Sequence, residues 1–373
     1  MREPAGSVTP GSLRKRVDVA VGVDSCARLG VEIPIVQAPM AGAGGVALAI
    51  AVAQAGGLGS LPAAMLSSTQ LAEQIDEFRR ATDAPLNVNF FCHELPEVSP
   101  AELEAWAATL SRYDAEFGVD RSSAPAAPTR RPFDDEACRV VERSRPEVVS
   151  FHFGLPAPEL VERVRRTGAI VMSSATIRAE AVWLEQHGCD MVIAQGAEAG
   201  GHRGMFLTTD VEAQPGTMAL LPRVVDAVGV PVIAAGGLAD ARAIAAAFVL
   251  GAAAVQLGTA YLLCPEALTT PVHRSALAGG SVDDTVLTNV LTGRPARSRR
   301  NRIIDELGPM ALETPAFPAA GVALAPLRAA AEVAGSGDFS PLWSGAAGVM
   351  TKEVPAGRLT RHLIDEARRL LVE

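Results

Sequence analysis

Nothing in this sequence is arranged to hold a metal or a disulfide framework. The five cysteines of the 373-residue chain, Cys26, Cys92, Cys138, Cys189 and Cys264, are odd in number and never spaced as CxxC, which reads as reduced thiols in a cytoplasmic protein without a zinc site. The N-terminal stretch MREPAGSVTPGSLRKRVDVAVG has basic residues but no apolar core, so no secretory leader is expected. Positive charge is short overall: a net charge of −9 argues against a nucleic-acid surface, which needs clustered Lys and Arg. The one basic run, RPARSRRNR (294–302), reads as a solvated turn that balances nearby acids. Uninterrupted membrane-length apolar runs are missing too. The nearest, 46–66 and 243–263, contain glycines and divide into a helix plus a strand, so both read as buried α/β core. A GxGxxG dinucleotide fingerprint is also absent, although a barrel reductase needs none.

What is present is a repeat. With 49% hydrophobic and 20% charged residues the chain is globular, and eight short apolar runs recur along it: IPIVQAPM (33–40), GGLGSLPA (56–63), APLNVNFF (84–91), PEVVSFHFG (146–154), GAIVMSSAT (168–176), CDMVIAQG (189–196), VPVIAAGG (230–237) and AAVQLGTA (253–260). Helical patterns such as SSTQLAEQIDEFRRAT, APELVERVRRTG and LADARAIAAAFVLG separate them, several closing on glycine. Continuously apolar strands alternating with helices imply a parallel sheet covered on the outside. Eight such units make the fold class α/β, a (β/α)8 TIM barrel, with its chemistry on the loops after the strands. The barrel is expected over 18–264. An insertion follows strand three at about 93–145, with DRSSAPAAPTRRP (120–132) as an exposed loop. Residues 265–340 are expected to cover the substrate, and 341–373 to end in a helical segment packed on the barrel, since 357–373 has a 3.6-residue apolar period.

On that frame the polar residues gather at one end. Gln37, Pro39 and Met40 close the first run, Asn87 and Asn89 lie in the third, His152 in the fourth, Ser173 and Ser174 in the fifth, and Gln195 ends the sixth. Gly236 and Gly237 follow the seventh, and Gln256, Gly258 and Thr259 belong to the eighth. Glycine loops after strands seven and eight are where this barrel holds a phosphate group on backbone N–H groups. The loop QGAEAGGHRG (195–204) adds four glycines, Glu198, His202 and Arg203. Such a backbone suits close approach to a ligand, against its entropic cost.

The series QAPMAGAGG, NVNFF, FHFGLP, QGAEAGGHRG, AAGGLAD and QLGTAYL, in this order and spacing, resembles the nitronate monooxygenases, FMN-dependent TIM-barrel enzymes once called 2-nitropropane dioxygenases. LTGRPARSRRNRI (291–303) and FSPLWSGAAG (339–348) extend the likeness, with a departure at Ala346, where the family pattern has Gln after WSG. EAGGHRG is shared in altered form with FMN-dependent enoyl-ACP reductases, whereas FHFGLP favours the nitronate enzymes. The resemblance implies that Met40 lies against the flavin ring, that Asn89 and Gln195 hydrogen-bond the isoalloxazine or ribityl chain, and that Gly200, Gly237, Gln256, Gly258 and Thr259 hold the ribityl phosphate. It makes His202 the catalytic residue and FMN the cofactor. The activity implied is oxidation of alkyl nitronates, such as propionate 3-nitronate, with O2 to a carbonyl compound and nitrite through a flavosemiquinone. The implied partners are the small nitronate and O2, with no nucleic acid and no membrane, and a homodimer is the candidate assembly.

The chemistry asks for the same parts. Oxidation by O2 needs a one-electron carrier that no side chain supplies. A nitronate is an anion, so a donor must lie beside the flavin, and a neutral histidine can take the α-proton of a nitroalkane. Each residue also has a plainer role: His202 pinning the glycine turn, His152 packing in the barrel mouth rather than touching substrate, Glu198 bonding the loop rather than moving protons, and Arg203 pairing with a lid carboxylate rather than attracting the anion. His93 reads as surface, and His187, His273 and His362 as structural. Two other functions fit the frame: an NAD(P)H-dependent enoyl-ACP reductase, and a non-catalytic flavin-binding barrel.

Overall fold

The computed structural model describes residues 23–121, 130–279 and 284–372. The readings of residues 1–22 and of most of the 120–132 loop therefore lie outside the described residues. Each of the eight apolar runs forms a strand: β1 (Ile35–Gln37), β2 (Gly59–Pro62), β3 (Leu86–Phe91), β4 (Val148–His152), β5 (Ile170–Ala175) and β6 (Met191–Gln195), then, after a two-residue strand β7 (Gly201–His202) of another sheet, β8 (Val232–Ala235) and β9 (Ala254–Leu257). All pair in parallel in the order β1-β9-β8-β6-β5-β4-β3-β2. The ring closes where Val36 sits opposite Leu58, with Leu58 N–H donating to Ile35 O and Gln37 N–H to Leu58 O, each at 2.9 Å. This is a (β/α)8 barrel.

The strands read as apolar throughout because both faces are buried. Val36, Leu58, Val148, Met172, Met191, Ile193, Ile233 and Ala254 fill the interior, while neighbours such as Val192, Ala234 and Val255 pack outward under the helices. Gly59 has a steric reason: a Cβ there would lie 2.2 Å from Ala49 O, so only glycine lets helix α2 (Val46–Gln54), which follows α1 (Val23–Leu29), settle on β2. Helix α3 (Ser68–Ala81) starts on a reciprocal Ser67–Gln70 capping box, as does α4 (Pro100–Phe117) on Ser99 and Glu102.

The insertion is shorter than its expected bounds of about 93–145. Helix α5 (Asp135–Ser144) packs between α3 and α6 (Pro158–Arg166), the position of a barrel helix, so the excursion after β3 stops short of it. Within that excursion, α4 leaves the barrel and buries Trp106, Leu110 and Tyr113 against Leu324, Leu327 and Phe339. Helices α7 (Arg178–Gln186), α8 (Thr217–Val225) and α9 (Ala241–Val249) continue the barrel. Beyond β9 the chain makes α10 (Pro271–Gly279), β10 (Thr285–Thr288), β11 (Ala296–Arg299), α11 (Arg302–Leu307) and α12 (Ala319–Val333), and returns as α13 (Ala356–Val372). The apolar stripe of α13 lies on α9 and α2, closing the helical ring, and Tyr261 Oη bonds Thr360 Oγ1 at 2.7 Å. Among the described residues no helix is long and apolar enough to cross a membrane.

Candidate active site

A cavity opens at the C-terminal ends of the barrel strands, floored by Asn89, His152, Ser174, Gln195 and Gln256. The barrel positions each one by ending a buried strand on a polar residue. Asn89 commits its amide nitrogen to Ser150 Oγ at 3.0 Å and to Ser150 O at 3.2 Å, which leaves its carbonyl oxygen to accept. Gln256 Oε1 is buried without a partner. An acceptor so placed costs free energy until a donor arrives. Beside it the N–H groups of Gly237, Gly258 and Thr259 donate to no other described residue, and Gly236 and Gly237 sit at φ 106° and 70°, where L side chains are strained. The result is a concave set of backbone donors suited to an anion.

The glycine loop is held rigidly above this floor. Gln195 Nε2 donates to His202 O at 3.0 Å, and Gly204 N–H donates to Gln195 Oε1 at 2.7 Å, so one side chain ties both ends of the loop. Glu198 accepts from Thr217 N–H at 2.8 Å and Thr217 Oγ1 at 3.0 Å; it caps α8, the loop-bonding role rather than the acid–base one. Gly201 and His202 then pair, as β7, antiparallel to Arg297 and Ala296 of β11, whose other neighbour is β10. Trp343 bridges to Ser298, and Gly345 N–H donates to Thr259 Oγ1 at 3.0 Å. The cover region thus grips the loop by main-chain bonds.

His202 is buried among Phe91, Phe153, Phe317 and Trp343, with ring centroids 5.2–6.1 Å away. Its Nε2 lies 2.9 Å from Thr292 Oγ1. Burial first, and then the nearby Arg130 guanidinium, hold its pKa well below the ordinary 6.5, so the ring is neutral at physiological pH. His152 bonds Ser174 Oγ at 3.0 Å and His202 O at 3.2 Å, and burial lowers it to about 3. Phe153, next in the chain, adopts φ 71°, a costly backbone for a bulky residue and one that points to a constrained site. The cavity lining carries Arg130, and Arg328 paired with Glu332. One carboxylate against two guanidiniums favours an anionic ligand.

The sequence profile described as nitronate monooxygenase matches residues 26–366. The chain belongs to the nitronate monooxygenase family. It is 40% identical over 346 residues to the nitronate monooxygenase of Pseudomonas aeruginosa, covering 91% of this chain and 97% of that relative. Among solved structures, a nitroalkane oxidase from Streptomyces ansochromogenes matches with a TM-score of 0.83 at 38% identity, over 92% of this chain and 98% of the other. FabK from Thermotoga maritima matches with a TM-score of 0.70 at 30% identity, over 93% and 96%.

In this nitronate monooxygenase family chain the cavity brings together Met40, Asn89, His152, Gln195, Gly200, His202, Gly237, Gln256, Gly258 and Thr259. Arg203 is not among them: buried under the loop, it donates to Gly196 O, Gln195 O and Gln214 Oε1 at 2.6–2.9 Å, so neither substrate nor a lid carboxylate meets it. Gly200 has a second duty, since a Cβ there would lie 2.5 Å from Gly345 N. The basic run is no solvated turn. It forms β11, where Ser298 and Arg299 are buried and Arg297 donates to Ala197 O at 2.9 Å. His93, read as surface, is instead buried among Phe91, Phe153 and Phe317; His273 is a buried residue of helix α10, as its structural reading has it, and also lines the cavity. Leu342, Trp343 and Gly345 line it too, so the cover extends past residue 340. Ala346 joins that cover through its main chain, its N–H donating to Glu198 O at 2.9 Å, a bond indifferent to the side chain. Arg130, Thr292, Phe317 and Trp343 were not singled out from the sequence; they come from non-repeating segments, and only the TGR and WSG strings hint at two of them.

Proposed function

We propose that this protein binds FMN at the barrel mouth and oxidises alkyl nitronates, propionate 3-nitronate among them, with O2 to a carbonyl compound and nitrite. Membership of the nitronate monooxygenase family supports the reading. The observation that carries it is a neutral, buried His202 on the wall of a cavity that also holds a backbone-donor cradle and a net cationic lining. The residues fit a flavin mononucleotide. Gly237, Gly258 and Thr259 offer free N–H groups to a phosphate, the partnerless Gln256 Oε1 awaits a donor such as a ribityl hydroxyl, and Asn89 retains an acceptor for the ring edge. When bound, FMN supplies the one-electron chemistry that protein side chains lack.

The chain's own part is to bind, orient and move a proton. Arg130 balances the charge of the nitronate, and the rings of Phe91, Phe153, Phe317 and Trp343 exclude water, which strengthens that attraction. Where the substrate arrives as a neutral nitroalkane, the neutral His202 accepts its α-proton. Purified protein is expected to release one FMN per chain and no FAD, and His202→Asn to keep the flavin while losing 10²–10⁴-fold in turnover of a neutral nitroalkane such as nitroethane, about 3–5 kcal/mol of barrier. Colourless protein that takes up no added FMN, or a variant as fast as wild type, contradicts the proposal.

A further inference from the structure

Resting on the role proposed for His202, we propose that Thr292 is a positioning residue that fixes His202 as the Nε2–H tautomer and so presents a bare Nδ1 to the cavity. Thr292 is 2% exposed, and its Oγ1 has two neighbours: His202 Nε2 at 2.9 Å and the backbone oxygen of Arg294 at 3.4 Å. A carbonyl oxygen can only accept, and a hydroxyl has one proton. With that proton directed at Arg294 O, the threonine oxygen meets His202 as an acceptor, and Nε2 carries the ring's hydrogen. His202 Nδ1 has no partner among the described hydrogen bonds and is not among the buried orphan atoms, while the residue lines the cavity. Its lone pair therefore faces the space where a substrate sits.

The turn that carries Thr292 cannot easily yield. Gly293 N–H and Thr292 N–H both donate to Asn289 O, at 2.7 and 3.2 Å, and the Asn289 amide is locked to Ala311 in both directions at 2.9 and 3.0 Å. A Cβ on Gly293 would lie 2.2 Å from Pro315 O. The hydroxyl is thus held at one spot, on an element whose neighbour β11 pairs with the His202 strand. Donation from Nε2–H also raises the basicity of the opposite ring nitrogen. The consequence is selective: removing an α-proton from a nitroalkane needs a bare Nδ1, whereas a preformed nitronate needs no such step.

Two measurements test this on the FMN-loaded protein. Long-range 1H–15N correlation spectra of ring-labelled histidine, with His202 assigned by its loss in H202N, should show Nδ1 unprotonated and Nε2 protonated in the wild type. Thr292→Val should mix or reverse the tautomers and lower the ratio of nitroethane to ethyl nitronate turnover ten- to hundredfold, the usual size for losing a partner that orients a site histidine; Thr292→Ser should restore both. A wild-type spectrum with Nδ1 protonated overturns the proposal even if the valine variant does not fold, as does a folded valine variant with an unchanged ratio. Because the tautomer is read from the spectrum, it stands or falls separately from nitronate oxidation: a wild type that turns over no nitronate but shows a bare Nδ1 still supports the assignment of Thr292.

Discussion

The histidines around the cavity carry a pH signature. Burial lowers His93 to about 4, His152 to about 3 and His273 to about 4, and His202 well below the ordinary value. All are neutral in the fold, so as pH falls below about 6.5 the unfolded chain takes up protons that the folded chain refuses. Stability is therefore full above about pH 6.5 and declines as pH drops toward the folded values. Each group contributes roughly 1 to 1.5 kcal/mol per pH unit inside that window. Between pH 6.5 and 5 most carboxylates stay ionised in both states, which isolates the histidine effect. The urea midpoint should fall clearly from pH 7.5 to pH 5, and His93→Asn should flatten the slope; a midpoint constant over that interval contradicts the buried, neutral assignment. Gln195, Gln256 and His202 were legible because each interrupts or follows an apolar strand with a polar group. The direction of Arg203 was not, since a loop arginine turns toward whichever carbonyls the folded loop leaves free.

Among the elements, the seam between the glycine loop and the cover decides the shape of the site. Gly200 faces Gly345 N at 2.5 Å and the Ser344 carbonyl carbon at 2.7 Å from where a Cβ would sit, and both contacts are backbone, so no side chain can swing aside. Gly200→Ala should cost about 1–3 kcal/mol of stability by overpacking and raise KM more than it lowers kcat, as the 344–345 segment lifts from the loop. Chemical denaturation together with steady-state kinetics checks this, and an alanine variant with wild-type stability and KM would remove the seam from the account. The barrel strands were legible because burial on both faces leaves a continuous apolar signature. The three-stranded cover sheet was not. It pairs a two-residue strand, β7, with one 94 positions later, Ala296 against its His202, and β11 is rich in arginine whose charges are met by backbone oxygens and by partners the local sequence does not announce.

At the scale of the whole molecule, a barrel closed between Val36 and Leu58 supplies a rigid ring of strand ends. One long excursion between β9 and α13 then folds back over that ring, and α4, leaving the barrel after β3, packs against it. The plan explains why the barrel can be read as a repeat, whereas the cover, which carries Thr292, Phe317 and Trp343, is visible only in three dimensions. It also leaves one frame open to two electron donors, a nitronate or a pyridine nucleotide. Stopped-flow absorbance separates them: FMN-loaded protein is mixed without oxygen against ethyl nitronate, and separately against NADH and NADPH, before O2 is admitted. The account predicts that the nitronate alone changes the flavin spectrum rapidly, and that O2 restores it with nitrite formed and no pyridine nucleotide consumed. Fast, saturable bleaching by NADH or NADPH, with no nitrite from the nitronate, would contradict it.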